Sequence, residues 1–154
     1  MDIIKGLGNA NKMMNRLLAA NKDIAHIASL AGGSLRNAIP RESTATVVVK
    51  TQDISEFVLQ MEKIQFNLVE EYRLLEPDLT IETQKIDAPQ MVMAPKDQTA
   101  FINAVYATHN GVYRMSPAIE GLVETSNNIA KISVKDAILK IECLTRSSVD
   151  SSKD

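Results

Sequence analysis

"GGSLRNAIPRES" (Gly32–Ser43) lies between two segments that read as β-strands, "IAHIASL" (Ile24–Leu30) and "ATVVVK" (Ala45–Lys50). The first is apolar and the second is β-branched through its centre, which suits a half-buried pleated surface. A connection that only turned the chain would not need two glycines, two arginines and an Asn-Ala-Ile-Pro run so closely spaced. The stretch is a candidate binding loop between paired strands.

Helical periodicity flanks this unit on both sides. Upstream, Ile3, Leu7, Ala10, Met14 and Leu17 recur at helical spacing, which predicts a helix from Ile3 to Ala20 with Asp2 as N-cap. Gly6 and Gly8 weaken it by roughly 1 kcal/mol each, pointing to a later helix start or a close approach by another element. Downstream, Thr51 and Asp53 can cap a long amphipathic helix carrying Ile54, Phe57, Val58, Met61, Ile64, Leu68 and Tyr72. Beyond Pro77, "DLTIETQKI" (Asp78–Ile86) alternates and predicts a third strand. "DAPQMVMAP" (Asp87–Pro95) reads as a linker, and Pro95 sits where a helix from Lys96 to Thr108 would begin. After the "HNG" stop, a segment from Gly121 to Val134 passes through Lys135-Asp136 into "AILKIECLTR", a predicted β-hairpin.

The expected order is α-β-β-α-β over residues 1–87, a linker over 88–94, and α-β-β over 95–154. This is an α+β chain with an antiparallel sheet and helices packed on one face. Its organisation is two ferredoxin-like halves, the second one short of a helix and a strand. That pattern predicts a piece of a larger protein.

Composition narrows the functional classes. The 154 residues are 45% hydrophobic and 23% charged, with a formal net charge of −2. There is no basic stripe for nucleic acid and no polybasic patch for a membrane. Residues 1–20 are too polar for a secretory signal, and no apolar run is long enough to span a bilayer. The single cysteine, Cys143, cannot form an internal disulfide, which fits a reducing, cytoplasmic setting.

Self-contained catalytic chemistry is missing. A metal site needs several converging His, Cys, Asp or Glu ligands, and only His26 and His109 are present, neither with a carboxylate at ligand spacing. His26 reads as a core histidine within a strand, and His109 as part of a helix cap. Cys143 reads as a buried thiol without a base near it. "KGLGNANK" lacks the preceding strand and the spacing of a phosphate loop. Anion recognition remains. Arg36, Asn37 and Arg41 share the loop, and Arg146 ends the last strand on the face carrying Lys140 and Glu142, opposite Leu139, Ile141 and Cys143. A guanidinium fork with an amide donor suits a carboxylate. The rival reading is that these are solvated surface arginines.

Four stretches, "GLGNANKMMNRLL", "GGSLRNAIPRE", "GLVETSNN" and "IECLTRSSVDSSKD", together resemble the lid domain of the aminoacyl-histidine dipeptidases. These Xaa-His dipeptidases (peptidase D) are among the aminoacylase- and carnosinase-type zinc peptidases. The resemblance runs in order from near residue 2 to residue 154. It implies a catalytic domain on both sides of this segment in the same polypeptide, holding two divalent metal ions, zinc above all. It implies no metal ligand, no catalytic residue and no cofactor within this chain. By motif, Asn37 would contact a dipeptide near its reacting carbonyl or terminal carboxylate, Arg146 would clamp that carboxylate, and Arg36 would stand beside them. Glu124, Thr125 and Ser126 match a family segment with no defined role. The implied partners are the catalytic domain, a dipeptide substrate and a possible second copy, with neither nucleic acid nor membrane. The alternative is a free-standing ferredoxin-like regulatory or ligand-binding module.

Overall fold

The computed structural model of the chain describes residues 2–153. A 3₁₀ turn at Asp2–Lys5 leads to α1 (Ala10–Ala20), β1 (Ala25–Gly32) and β2 (Ser43–Val49). A second 3₁₀ turn (Thr51–Asp53) opens α2 (Ile54–Tyr72), followed by α3 (Pro95–Ala107). Three strands complete the sheet: β3 (Gly111–Met115), β4 (Val123–Lys135) and β5 (Ile138–Ser147), before a last turn at Asp150–Ser152.

All five strands join one antiparallel sheet organised around β4. β5 pairs with β4 from Lys135↔Ile138 to Thr125↔Ser147. The opposite edge of β4 is shared: β1 takes Ile132–Val134, and β3 takes residues from Val123 to Asn127. β2 then pairs with β1. Ile27, Leu30, Ile129, Ile132 and Val134 bury one face of the sheet against Leu18 of α1 and Phe101, Ile102 and Val105 of α3. This is the α+β antiparallel architecture that the alternation of apolar residues predicts.

α2 packs on α1, through Leu68, Met61, Ile64 and Tyr72 against Met13 and Leu17. Complete burial of Leu68 contributes about 2 kcal/mol. Lys12 fastens α1 to α3 as well. Its ammonium donates to the carbonyls of Val105, Tyr106 and Thr108 at 2.8, 3.1 and 2.9 Å. A cation there complements the negative C-terminal end of α3, although partial burial pulls its pKa down.

Several expectations are corrected. α1 begins at Ala10, and its N-cap is Asn9, whose Oδ1 accepts from Lys12 N at 3.1 Å. Gly8 precedes the helix at a close approach, where a Cβ would lie 2.2 Å from Met13 Cε and 3.4 Å from the Tyr72 ring. Thr51 and Asp53 form a 3₁₀ turn, and Asp53 makes no side-chain capping bond to α2. The strand expected over Asp78–Ile86 is absent. Leu79 and Ile81 instead turn into the α1–α2 cluster, so an extended chain spends its alternation on helices. The unexpected strand is β3, which starts at Gly111 directly after α3. Each side of residues 88–94 therefore differs from expectation by one strand, and β1 and β4 pair across that division.

Smaller corrections concern single residues. The β4–β5 turn is centred on Asp136-Ala137, one residue later than read, with φ of 52° and 59°. His26 is half-buried rather than in the core. Thr108, not His109, caps α3, through its backbone N–H to Ala104 O at 3.0 Å. The His109 ring is exposed and stands edge-on to Tyr113, centroids 5.5 Å apart. Cys143 is half-buried against the core.

Candidate functional site

The connection between β1 and β2 runs from Gly33 to Glu42. It starts with a close approach: Gly33 has φ +76°, and a Cβ there would sit 1.9 Å from Ala130 O. Only glycine fits both that conformation and that gap. Gly33 N donates to Glu42 O at 3.1 Å, closing the base of the loop. Pro40 is buried, and its carbonyl accepts from Ala10 N at 3.0 Å. Nearer the tip, Asn128 Nδ2 donates to Ala38 O at 2.7 Å.

The loop's two arginines have different surroundings. Arg41 makes a two-pronged ion pair with Glu76, whose Oε1 accepts from Arg41 Nη1 at 2.8 Å and from Gly8 N at 2.8 Å. Hydrogen bonding to Arg41 holds the Glu76 carboxyl below the usual carboxylate range, and the same bond raises the Arg41 pKa. Arg41 is thus occupied in joining the loop to the end of α2. Arg36 and Asn37 are exposed, and among the described residues their side chains have no hydrogen bond or ion pair.

Arg146 stands on β5 opposite Ser126. Leu144, two residues back on the same face, is the ladder partner of Asn128, which holds Ala38. Two strand residues span about 7 Å, so Arg146 and the loop tip occupy one corner of the sheet. Glu142 continues that face and pairs with Lys140 at 2.7 Å. The Lys140 hydrogen bond depresses the Glu142 carboxyl, with smaller contributions from the charges of Lys140, Lys131 and Arg36. The last of these places the Arg36 charge in the field of the β5 face. Arg146 is exposed, and its guanidinium has no partner among the described residues. Lys140, Lys131 and Arg36 thus act on the Glu142 carboxylate, Arg146 lies four residues farther along the same strand, and the Arg36 and Arg146 guanidinium groups and the Asn37 amide have no partner among the described residues.

Sequence reasoning missed the residues that build this corner. Where β1 and β3 diverge along β4, asparagines take over backbone pairing. Asn110 Oδ1 accepts from Ile129 N at 2.9 Å, and Asn9 Nδ2 donates to Ile129 O at 3.1 Å. Asn9 Nδ2 also reaches Asn110 Oδ1 at 2.8 Å and Asn128 Oδ1 at 3.1 Å. Gln98 does the same on β1, accepting from Ile27 N at 2.8 Å and donating to Ala25 O at 3.0 Å. Within "ETSNN", Glu124 is buried with its Oε1 3.5 Å from Arg114 Nε, and Thr125 Oγ1 lies 2.8 Å from Ser147 Oγ. Their clustering along 124–128 was the visible signal; their partners were not.

Among the described residues, no three His, Cys, Asp or Glu side chains converge so as to hold a metal ion. The described residues of this chain therefore do not fit the metal ions that the resemblance implies for the dipeptidase. Among the described residues, no helix is long and apolar enough to cross a membrane.

Known proteins match this arrangement. Cytosol non-specific dipeptidase of Escherichia coli (strain K12) is 36% identical to the chain over 155 residues, covering 99% of the chain and 32% of the relative. The crystal structure of aminoacylhistidine dipeptidase from Vibrio alginolyticus superposes with a TM-score of 0.94 at 36% identity, covering 99% of the chain and 31% of that structure. The chain is homologous to about a third of a dipeptidase. No family model matches it. The fold of this dipeptidase-like chain is that of the corresponding third, with its five-stranded sheet and three helices.

Proposed function

We propose that this chain is the lid of a metal-dependent dipeptidase acting on Xaa-His dipeptides, and that it supplies contacts to the substrate carboxylate. The observation that carries the reading is the unequal use of arginine in a chain homologous to dipeptidases from end to end. Arg41 is consumed by Glu76, whereas Arg36, Asn37 and Arg146 are exposed with free donors. The Arg146 fork would take the two oxygens of the dipeptide carboxylate, and the Asn37 amide would donate to a carbonyl or carboxylate oxygen beside it. Arg36 would add positive charge next to them.

Metal ions held by a catalytic domain of the same polypeptide, zinc above all, would supply the hydrolytic chemistry. The residues of this chain would orient the dipeptide and exclude water as the lid closes. Leu59 and Phe66, each 67% exposed on α2, offer the rest of the polypeptide or a second copy an apolar face to cover. A cytoplasmic setting fits the lone Cys143 and agrees with the name of the Escherichia coli relative.

Hydrolysis of glycyl-histidine or β-alanyl-histidine with added zinc tests the reading. Activity is expected from the longer polypeptide and not from the 154-residue chain alone. Turnover by the isolated chain contradicts it and points back to His26 and His109.

A further inference from the structure

We propose that Asn128 is a positioning residue, whose amide holds the loop tip in the conformation that presents Asn37 to substrate. The inference rests on the lid reading above. Asn128 is 7% exposed. Its Nδ2 donates to Ala38 O at 2.7 Å, and its Oδ1 accepts from Asn9 Nδ2 at 3.1 Å. With both ends engaged, the amide has one orientation: turned over, it would set amino group against amino group and oxygen against oxygen. Asn9 is fixed in turn as the N-cap of α1 and through Asn110 and Ile129. The loop tip is thereby referenced to the frame of the domain, one residue away from Asn37.

Among the described residues, the Asn128–Ala38 bond is the only hydrogen bond from residues 34–39 to the rest of the domain. Packing does not substitute for it, because a cavity of about 210 Å³ lies against Asn128, lined also by Ile39, Asn9, Asn110 and Tyr72. Ala38 is exposed, so its carbonyl can turn to water if the bond is lost. The consequence falls on the geometry of Asn37 more than on the fold.

The test uses the dipeptidase polypeptide that carries this chain, with glycyl-histidine as substrate. Asn128→Asp keeps an acceptor for Asn9 but sets a carboxylate oxygen against Ala38 O. We expect kcat/KM to fall roughly tenfold to a hundredfold, the scale of a misplaced contact, with the thermal midpoint within about 4 °C of the parent. In the Asn37→Ala background the same substitution is expected to cost less than about twofold, because the two act as one unit. A full additional loss in that background, or unchanged activity of Asn128→Asp where Asn37→Ala is impaired, overturns the inference and leaves the lid reading standing. An Asn37→Ala enzyme with full activity removes both. Should Asn128→Asp not fold, Asn128→Ser enters the same cycle, and failure of both to fold overturns the positioning role in favour of a general structural one.

Discussion

Two hairpin connections serve the same sheet and solve different problems. The β4–β5 turn is as short as such turns become: Asp136 and Ala137 both adopt positive φ, and the strands resume at once. The β1–β2 connection, Gly33 to Glu42, is long and tied down at several points. Gly33 presses against Ala130, Pro40 accepts from Ala10, Arg41 grips Glu76, and Asn128 holds Ala38. A connection that merely reverses the chain needs none of this. Extra length tied down in this way, with two polar side chains left free at its tip, suits the binding role proposed for the loop.

The anchors should fail in a definite order when removed. Gly33→Ala combines a left-handed backbone with a Cβ driven into a carbonyl oxygen, so we expect a loss of about 2–4 kcal/mol in stability by chemical denaturation. A loss below half of that would mean that β4 can yield at Ala130. Glu76→Gln removes the charge that joins Arg41 to Gly8, and about 1 kcal/mol should go with it. The pH dependence has a fixed sign. The folded-state pKa of Glu76 is depressed, so its stabilisation is fully present above its unfolded pKa and disappears as pH falls through the folded value. The gap between parent and Glu76→Gln should therefore close in acid; a gap that widened would reverse the assignment. Ala137→Gly, in the short turn, should raise stability by about 0.5–1 kcal/mol, since glycine relieves the positive φ. The equivalent relaxation is already built into the long loop at Gly33.

The same contrast explains how much the sequence disclosed. Elements whose apolar pattern is spent on their own face were legible: α2, α3, the β1–β2 pair and the β4–β5 hairpin. The alternation of Leu79 and Ile81 misled because an extended chain against two helices shows the same period as a strand in a sheet. β3 was hidden by "HNG", where a helix stop and a strand start coincide at Asn110-Gly111. Arg36, Arg41 and Arg146 look alike as letters. Only the fold reveals that Glu76, far along the chain, claims Arg41, and that Asn9 and Asn110 stand in for a missing length of strand pairing.

Parallel measurement of kcat/KM and thermal midpoint for Arg146→Ala and Arg41→Ala, in the longer polypeptide with glycyl-histidine, tests the central claim most directly. Loss of a two-pronged carboxylate contact costs about 2–4 kcal/mol. Arg146→Ala should therefore lower kcat/KM by a factor of hundreds at an unchanged midpoint. Arg41→Ala should lower the midpoint while activity per folded molecule stays within about threefold. Activity of Arg146→Ala within that same margin would contradict the account, because the free arginine would then be surface and the corner would hold no substrate.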